Sequence, residues 1–149
     1  MMRDVRFPLL LLLALLCPLC SAPPPQGFTS FHWFSTQHVQ PNQNISCNVA
    51  MTAINQHLPR CKPTNTFLHD SPQNVINVCT LQSVCCRNCQ NNCHRSAQPV
   101  GATVCRLTRG STKPNCHYTA SVILTDFFVA CNPRQAGDPP NPLVPVHLD

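Results

Sequence analysis

"VGATVCRLTRGSTKPNCHYTASVIL", residues 100–124, reads as two extended runs around a turn. Val, Thr, Ile and Tyr dominate residues 100–109 and 116–124, side chains that suit a pleated, half-buried surface, and Gly110 and Pro114 supply turn signals between them. Antiparallel strands follow. Residues 127–131 repeat the composition, and residues 143–149 form one more apolar run, in which Pro145 marks an edge or a bulge because proline donates nothing to a ladder.

Upstream of this stretch the period changes. Phe31, Phe34 and His38 are spaced three and four apart after Ser30, which predicts a short helix with His38 on the phenylalanine face. Cys47, Ala50, Met51, Ile54 and Leu58 predict a second helix, starting near Asn44 or Ser46 and ending at Pro59. Asp70-Ser71-Pro72 is a helix entry signal, so a third and shorter helix is expected through Val75 and Val78 to Cys79. Helices first and strands later imply an α+β domain.

The chain opens with Arg3 and Arg6, an apolar run from Leu9 to Leu16, and then Ser21, Ala22 and Pro23. This is the pattern of a secretory signal peptide, too short in its apolar core for a membrane span. Residues 1–22 are assigned to it, with cleavage between Ser21 and Gly27, and residues 23–149 to a single domain. Removing the leader takes Cys17 and Cys20 and leaves ten cysteines, an even number in a small exported chain. Disulfides are the default in an oxidising compartment, each worth about 2–4 kcal/mol. Spacing alone does not give their pairing. From Pro23 onward eight Lys and Arg face four Asp and no Glu, a balance that favours anionic partners such as nucleic acid, glycosaminoglycans or microbial surfaces. Asn44-Ile45-Ser46 is the only N-glycosylation sequon, with an unmodified helix cap as the alternative reading.

Two kinds of residue carry candidate chemistry. "CKPTNTF", residues 61–67, puts Lys62 directly behind Cys61, where a disulfide would tether an otherwise flexible cation. Of the seven histidines, His32, His57, His69, His94 and His117 read as surface or hydrogen-bonded structural residues. His38 follows Gln37 on a core-facing helix, and His147 sits in the last apolar run beside Asp149. The cluster "CCRNCQNNCH" raises zinc as an alternative, but its spacing yields no clean pair of ligand dyads.

"FSTQH" (residues 34–38), "CKPTNTF" and "PVHLD" (residues 145–149) resemble, in order, the three signature segments of the pancreatic ribonuclease A superfamily. "CKPTNTFLHDSPQNVINVC", "CRLT" and "DPPNPLVPVHLD" are most similar to its eosinophil-type and ribonuclease 6-like branch. The resemblance implies three short helices packed on a long twisted antiparallel sheet with four or five disulfides. It implies the pairs Cys47 with Cys105, Cys61 with Cys116, Cys79 with Cys131 and Cys86 with Cys93, leaving Cys85 with Cys89 as a fifth local bridge. It also implies a metal-independent endoribonuclease that needs no cofactor and cuts single-stranded RNA after pyrimidines through a 2′,3′-cyclic phosphate. In that chemistry His38 is the base and His147 the acid, exchanging roles in the hydrolytic step, while Lys62 stabilises charge on phosphorus. Gln37 and the backbone N–H of Leu148 add hydrogen bonds to phosphate, Asp149 orients His147, and Thr66 reads the pyrimidine. Asn65 supports the shape of the site; Asn92 and Gln90 match positions that contact the following base, and Arg87 a phosphate. A secreted monomer, stored in granules or lysosomes and acting in host defence, is the expected setting. The competing reading is a cationic antimicrobial protein that binds envelopes without catalysis; a signalling ligand stands behind both.

Overall fold

The computed structural model describes residues 22–149, so the expected leader lies outside the described residues except for Ala22. Helix α1 (Ser30–His38) starts at Thr29, whose hydroxyl accepts the N–H of His32 at 3.1 Å and so satisfies one orphan donor of the first turn. Phe31 and Phe34 are buried on one face of this helix, as their spacing requires. Helix α2 (Cys47–Asn55) buries Met51 and Ile54 completely. It closes before the expected Pro59: His57 N–H bonds the carbonyl of Ile54 and Leu58 N–H that of Asn55, which turns the chain out of the helix. Helix α3 (Pro72–Asn77) is capped by Ser71, whose hydroxyl accepts from Asn74 N–H, and tightens into a 3₁₀ turn at Val78–Thr80.

Among the described residues seven strands form two antiparallel sheets. Strands β1 (Thr64–Leu68), β4 (Val100–Leu107) and β5 (Tyr118–Thr125) build one, in the order β1-β4-β5. Strands β2 (Ser83–Val84), β3 (Cys93–Arg95), β6 (Phe128–Pro133) and β7 (Leu143–Leu148) build the other, in the order β2-β3-β6-β7. The fold is α+β, and the four strand-like runs of the sequence are β4 to β7. Pro145 sits on the edge strand β7 at a bulge: Ala130 opposes His147 and Cys131 opposes Pro145, which leaves Val146 as the extra residue. Such a bulge re-aims the side chains beside it. Here that side chain is His147.

The main core packs Phe34 of α1 against Leu68, Val75, Ala102, Phe127 and Val129; a second cluster joins Met51, Ile54, Phe67 and Tyr118. Burying one such side chain contributes about 1.5–3 kcal/mol. Among the described residues four disulfides staple these layers: Cys47–Cys105, Cys61–Cys116, Cys79–Cys131 and Cys86–Cys93. The fifth bridge expected between Cys85 and Cys89 is not formed, and both are exposed thiols. Cys86 turns inward to meet Cys93, so its neighbour Cys85 turns outward, as successive side chains of an extended segment do. Cys89 closes a turn back to the carbonyl of Cys86 with a φ of 69°, a left-handed conformation. Among the described residues no helix is long and apolar enough to cross a membrane.

Candidate active site

The chain leaving α1 docks on the end of β1: Val39 bridges Leu68, and Gln40 N–H donates to the Leu68 carbonyl at 2.9 Å. This fixes the last turn of α1 over β1 and brings His38 onto Thr66. His38 Nδ1 lies 2.9 Å from the Thr66 carbonyl oxygen, and since a carbonyl only accepts, Nδ1 carries the proton. The neutral ring therefore keeps its free lone pair on Nε2. Across a cleft of about 560 Å³, lined by Gln37, His38, Lys62, Thr66, Arg87, His147, Leu148 and Asp149 among others, β7 supplies the second histidine. Asp149 Oδ1 stands 3.9 Å from His147 Nε2, an ion-pair distance rather than a hydrogen bond, and Nδ1 of that ring has no partner among the described residues. Asp149 is itself held, by Arg87 N–H on its Oδ2 at 3.1 Å and through its own N–H to the Phe128 carbonyl.

Lys62 is fixed at both ends. Its ammonium donates to Gln37 Oε1 at 2.7 Å and to Asn65 Oδ1 at 2.8 Å, while Asn65 Nδ2 donates to the Gln37 carbonyl at 2.7 Å. Its backbone is gripped from behind: Lys62 N–H donates to Asn55 Oδ1 at 2.9 Å, and Tyr118 O–H donates to the Lys62 carbonyl at 2.7 Å. Asn55 Nδ2 donates to the same Tyr118 oxygen at 3.0 Å, closing a buried ring of hydrogen bonds. With Cys61 bridged to Cys116, the base of the lysine is pinned on three sides. Neither Asn55 nor Tyr118 stands out in the sequence as a functional residue. Tyr118 is the only tyrosine of the chain, and it lies in a strand whose other residues, from Thr119 to Leu124, are exposed.

Burial and proximity set the charges. Burial lowers the His38 pKa to about 3, helped by Lys62 and His147, against the hydrogen bond to Thr66 that raises it. Burial also brings Lys62 down to about 8. His147 is lowered by burial, partly restored by the Asp149 carboxylate, and lowered again by Lys62. Burial and the neighbouring Lys62 thus hold both histidines towards their neutral forms, a bias that an anion placed between them and Lys62 would offset. Phosphate is such an anion. Cys86, Cys93 and Asp149 bring metal-ligand atoms within 4.8 Å of one another, but the two sulfurs are consumed in a disulfide and offer no thiolate.

The remaining sequence candidates fall elsewhere. Asn92 turns its amide to Asn132 and the Cys131 carbonyl, and neither it nor Gln90 lines the cleft; the Gln90 carbonyl accepts Cys86 N–H in the loop turn. His69 and His94 are buried, with Nδ1 on the carbonyls of Gln40 and Leu81 respectively, so both are structural. His32, His57 and His117 are exposed. Asn44 is exposed just ahead of α2.

A protein-family model described as pancreatic ribonuclease matches residues 29–149. Ribonuclease K6 of Macaca mulatta is 53% identical over 145 residues, covering 96% of this chain and 95% of that protein. Ribonuclease K3 of Sus scrofa is 50% identical over 151 residues, covering 98% and 96%. Ribonuclease K6 of Homo sapiens is 52% identical over 147 residues, covering 96% and 95%.

Proposed function

Because the chain belongs to the pancreatic ribonuclease family, we propose that it is an exported, metal-independent endoribonuclease that cuts single-stranded RNA on the 3′ side of pyrimidines. The observation that carries this reading is the cleft itself: a histidine with its lone pair directed by a backbone carbonyl, a pinned lysine and a second histidine line the same cavity. His38 Nε2 takes the proton of the 2′-hydroxyl, the 2′-oxygen attacks phosphorus, and the 5′-oxygen leaves with a proton from His147 Nδ1. In the second step water attacks the 2′,3′-cyclic phosphate and the two histidines exchange roles. Lys62 stabilises the charge that builds on the non-bridging oxygens, and because it is held in place beforehand it does so without reorganising. Gln37 spends its carbonyl oxygen on Lys62, which leaves its amide N–H groups for phosphate. The nucleophile belongs to the substrate, so DNA resists cleavage.

Thr66 supports the pyrimidine preference: its carbonyl is committed to His38, while its N–H and hydroxyl are the groups proposed to pair with the base. Arg87 and Leu148 line the cleft and are proposed phosphate contacts, with Asp149 setting the orientation of His147. Residues 1–22 are proposed as a cleaved leader ahead of one domain, Asn44 as a glycan site, and the basic balance of the chain supports a role in host defence.

The test is cleavage of a DNA oligonucleotide carrying one uridine ribonucleotide, in EDTA, by the native protein and by His147→Ala. Cutting after uridine with at least a ~100-fold loss in the variant is expected of one general acid. An inert native protein with its four disulfides verified would overturn the reading in favour of envelope binding.

A further inference from the structure

The cleft runs past the catalytic groups. Its wall beyond Lys62 and Gln37 is formed by Trp33, the only tryptophan of the chain, which reaches the cavity from α1 one turn before Gln37. Trp33 is half-buried. Part of it packs against the Met51, Ile54 and Phe67 cluster, and it is flanked by the rings of Phe28, 5.2 Å away at 65°, and His57, 5.9 Å away at 89°. Phe28 and His57 also meet each other at 5.0 Å, so the three rings brace one another. A large aromatic surface is thereby held in place at the wall of the same cleft that holds Gln37, His38, Lys62 and His147.

We propose that Trp33, braced by Phe28 and His57, is the platform of an additional nucleobase subsite, on which a base outside the scissile pair stacks while the chain runs through the cleft. The subsite rests on the ribonuclease reading, and it makes this protein an enzyme that prefers oligonucleotides to dinucleotides. The chemistry suits a single-stranded nucleic acid in particular: every base has a π-face, so stacking is tolerant of sequence, and a pre-ordered indole loses little freedom on binding.

Because there is one tryptophan, the wild-type protein reports on its own subsite. Thymidine oligodeoxynucleotides of two and six residues, which lack the 2′-hydroxyl and are not cut, are titrated while the indole emission is followed, beside a hexamer of the same charge with abasic outer positions. Saturating hexamer is expected to quench the emission, with the dimer and the abasic hexamer leaving most of it. Equal quenching by all three, or by none, overturns the subsite. Independently, the ratio of kcat/KM on a uridine-containing hexanucleotide to that on a dinucleotide is measured for wild type, Trp33→Phe and Trp33→Ala. The ratio is expected to fall by about five-fold or more in the alanine variant, with phenylalanine between; an unchanged ratio also overturns it. Quenching by the hexamer in a protein that cuts no RNA sinks the cleavage reading and keeps the subsite, whereas cleavage without base-dependent quenching does the reverse.

Discussion

Tyr118→Phe is the substitution on which the placement of Lys62 can be judged. It keeps the ring that packs against Met51, Ile54 and Phe67, so it opens no cavity, and it removes a single hydroxyl. That hydroxyl donates to the Lys62 carbonyl at 2.7 Å and accepts from Asn55 Nδ2 at 3.0 Å. Asn55 is 5% exposed and Tyr118 8%, so water does not readily replace the lost partner. A buried polar group left unpaired costs about 1–3 kcal/mol, and two of them cost roughly 2–4 kcal/mol after partial relaxation. In a domain of this size that corresponds to a fall in Tm on the order of 10 °C. The second effect is kinetic. Lys62 keeps its N–H bond to Asn55, but Asn55 has lost its own anchor, so the ammonium no longer stands where charge develops. A displacement of about 1 Å can cost ~100-fold in rate, and kcat is expected to fall ~10- to 100-fold. KM should move less than about three-fold, because Tyr118 is buried behind Lys62 and does not line the cleft. Cleavage of the single-uridine substrate well below the variant's Tm separates the two effects, and thermal unfolding gives the first. A kcat within two-fold of wild type, or a loss carried wholly by KM, refutes the claim that the buried ring of hydrogen bonds positions the cation.

Three further outcomes follow from the same geometry. Lys62→Ala removes the only ammonium that the described residues place in the cleft and is expected to lower kcat ~100- to 1,000-fold, the size typical of a preorganised charge-stabilising donor; a loss under ten-fold would place the stabilisation elsewhere. Both histidines proposed as acid and base are pushed below 6.5, so His38 stays in its basic form far into acid while His147 loses its acidic form early as pH rises. The kcat/KM profile, which reports the free enzyme, should therefore peak below pH 6.5, and a maximum above pH 7 contradicts the burial argument. The depressed His38 also links stability to acid: folded protein binds this proton only near pH 3, whereas the unfolded chain binds it at 6.5. Its contribution is fully present above 6.5 and is lost as pH falls from 6.5 towards 3, so urea midpoints should decline across that window and decline less in His38→Asn.

Much of this protein is legible in one dimension because its signals are local. The spacing of Phe31, Phe34 and His38 needs only the 3.6-residue turn to put the histidine on the buried face, and the Ser71-Pro72 entry needs only the orphan donors of a first turn. Strands β4 to β7 carry enough β-branched and aromatic residues to be read from composition. Strands β1, β2 and β3 are not, since they are short, and their pairing rather than their residues makes them extended; Asn65 on β1 pairs with Cys105 of a strand forty residues away. Helix α2 stops early for a similar reason, as Asn55 is drawn not only to Lys62 but to Tyr118, a partner that no local window contains.

The same division runs through the site. The sequence by itself determined which residue types are present for acid–base chemistry on RNA, through three short motifs and a cysteine ladder that admit the family's pairing. It did not contain the distances. Only the tertiary structure decided that the Thr66 carbonyl takes the proton-bearing nitrogen of His38, that Asn55 and Tyr118 grip Lys62 from behind, that the Asn92 amide bonds Asn132, and that Cys85 and Cys89 stay apart. The first three depend on groups far apart in the chain meeting within hydrogen-bond distance, and the last on Cys86 turning inward to Cys93. Those quantities arise only when the two sheets and α1 close on one another.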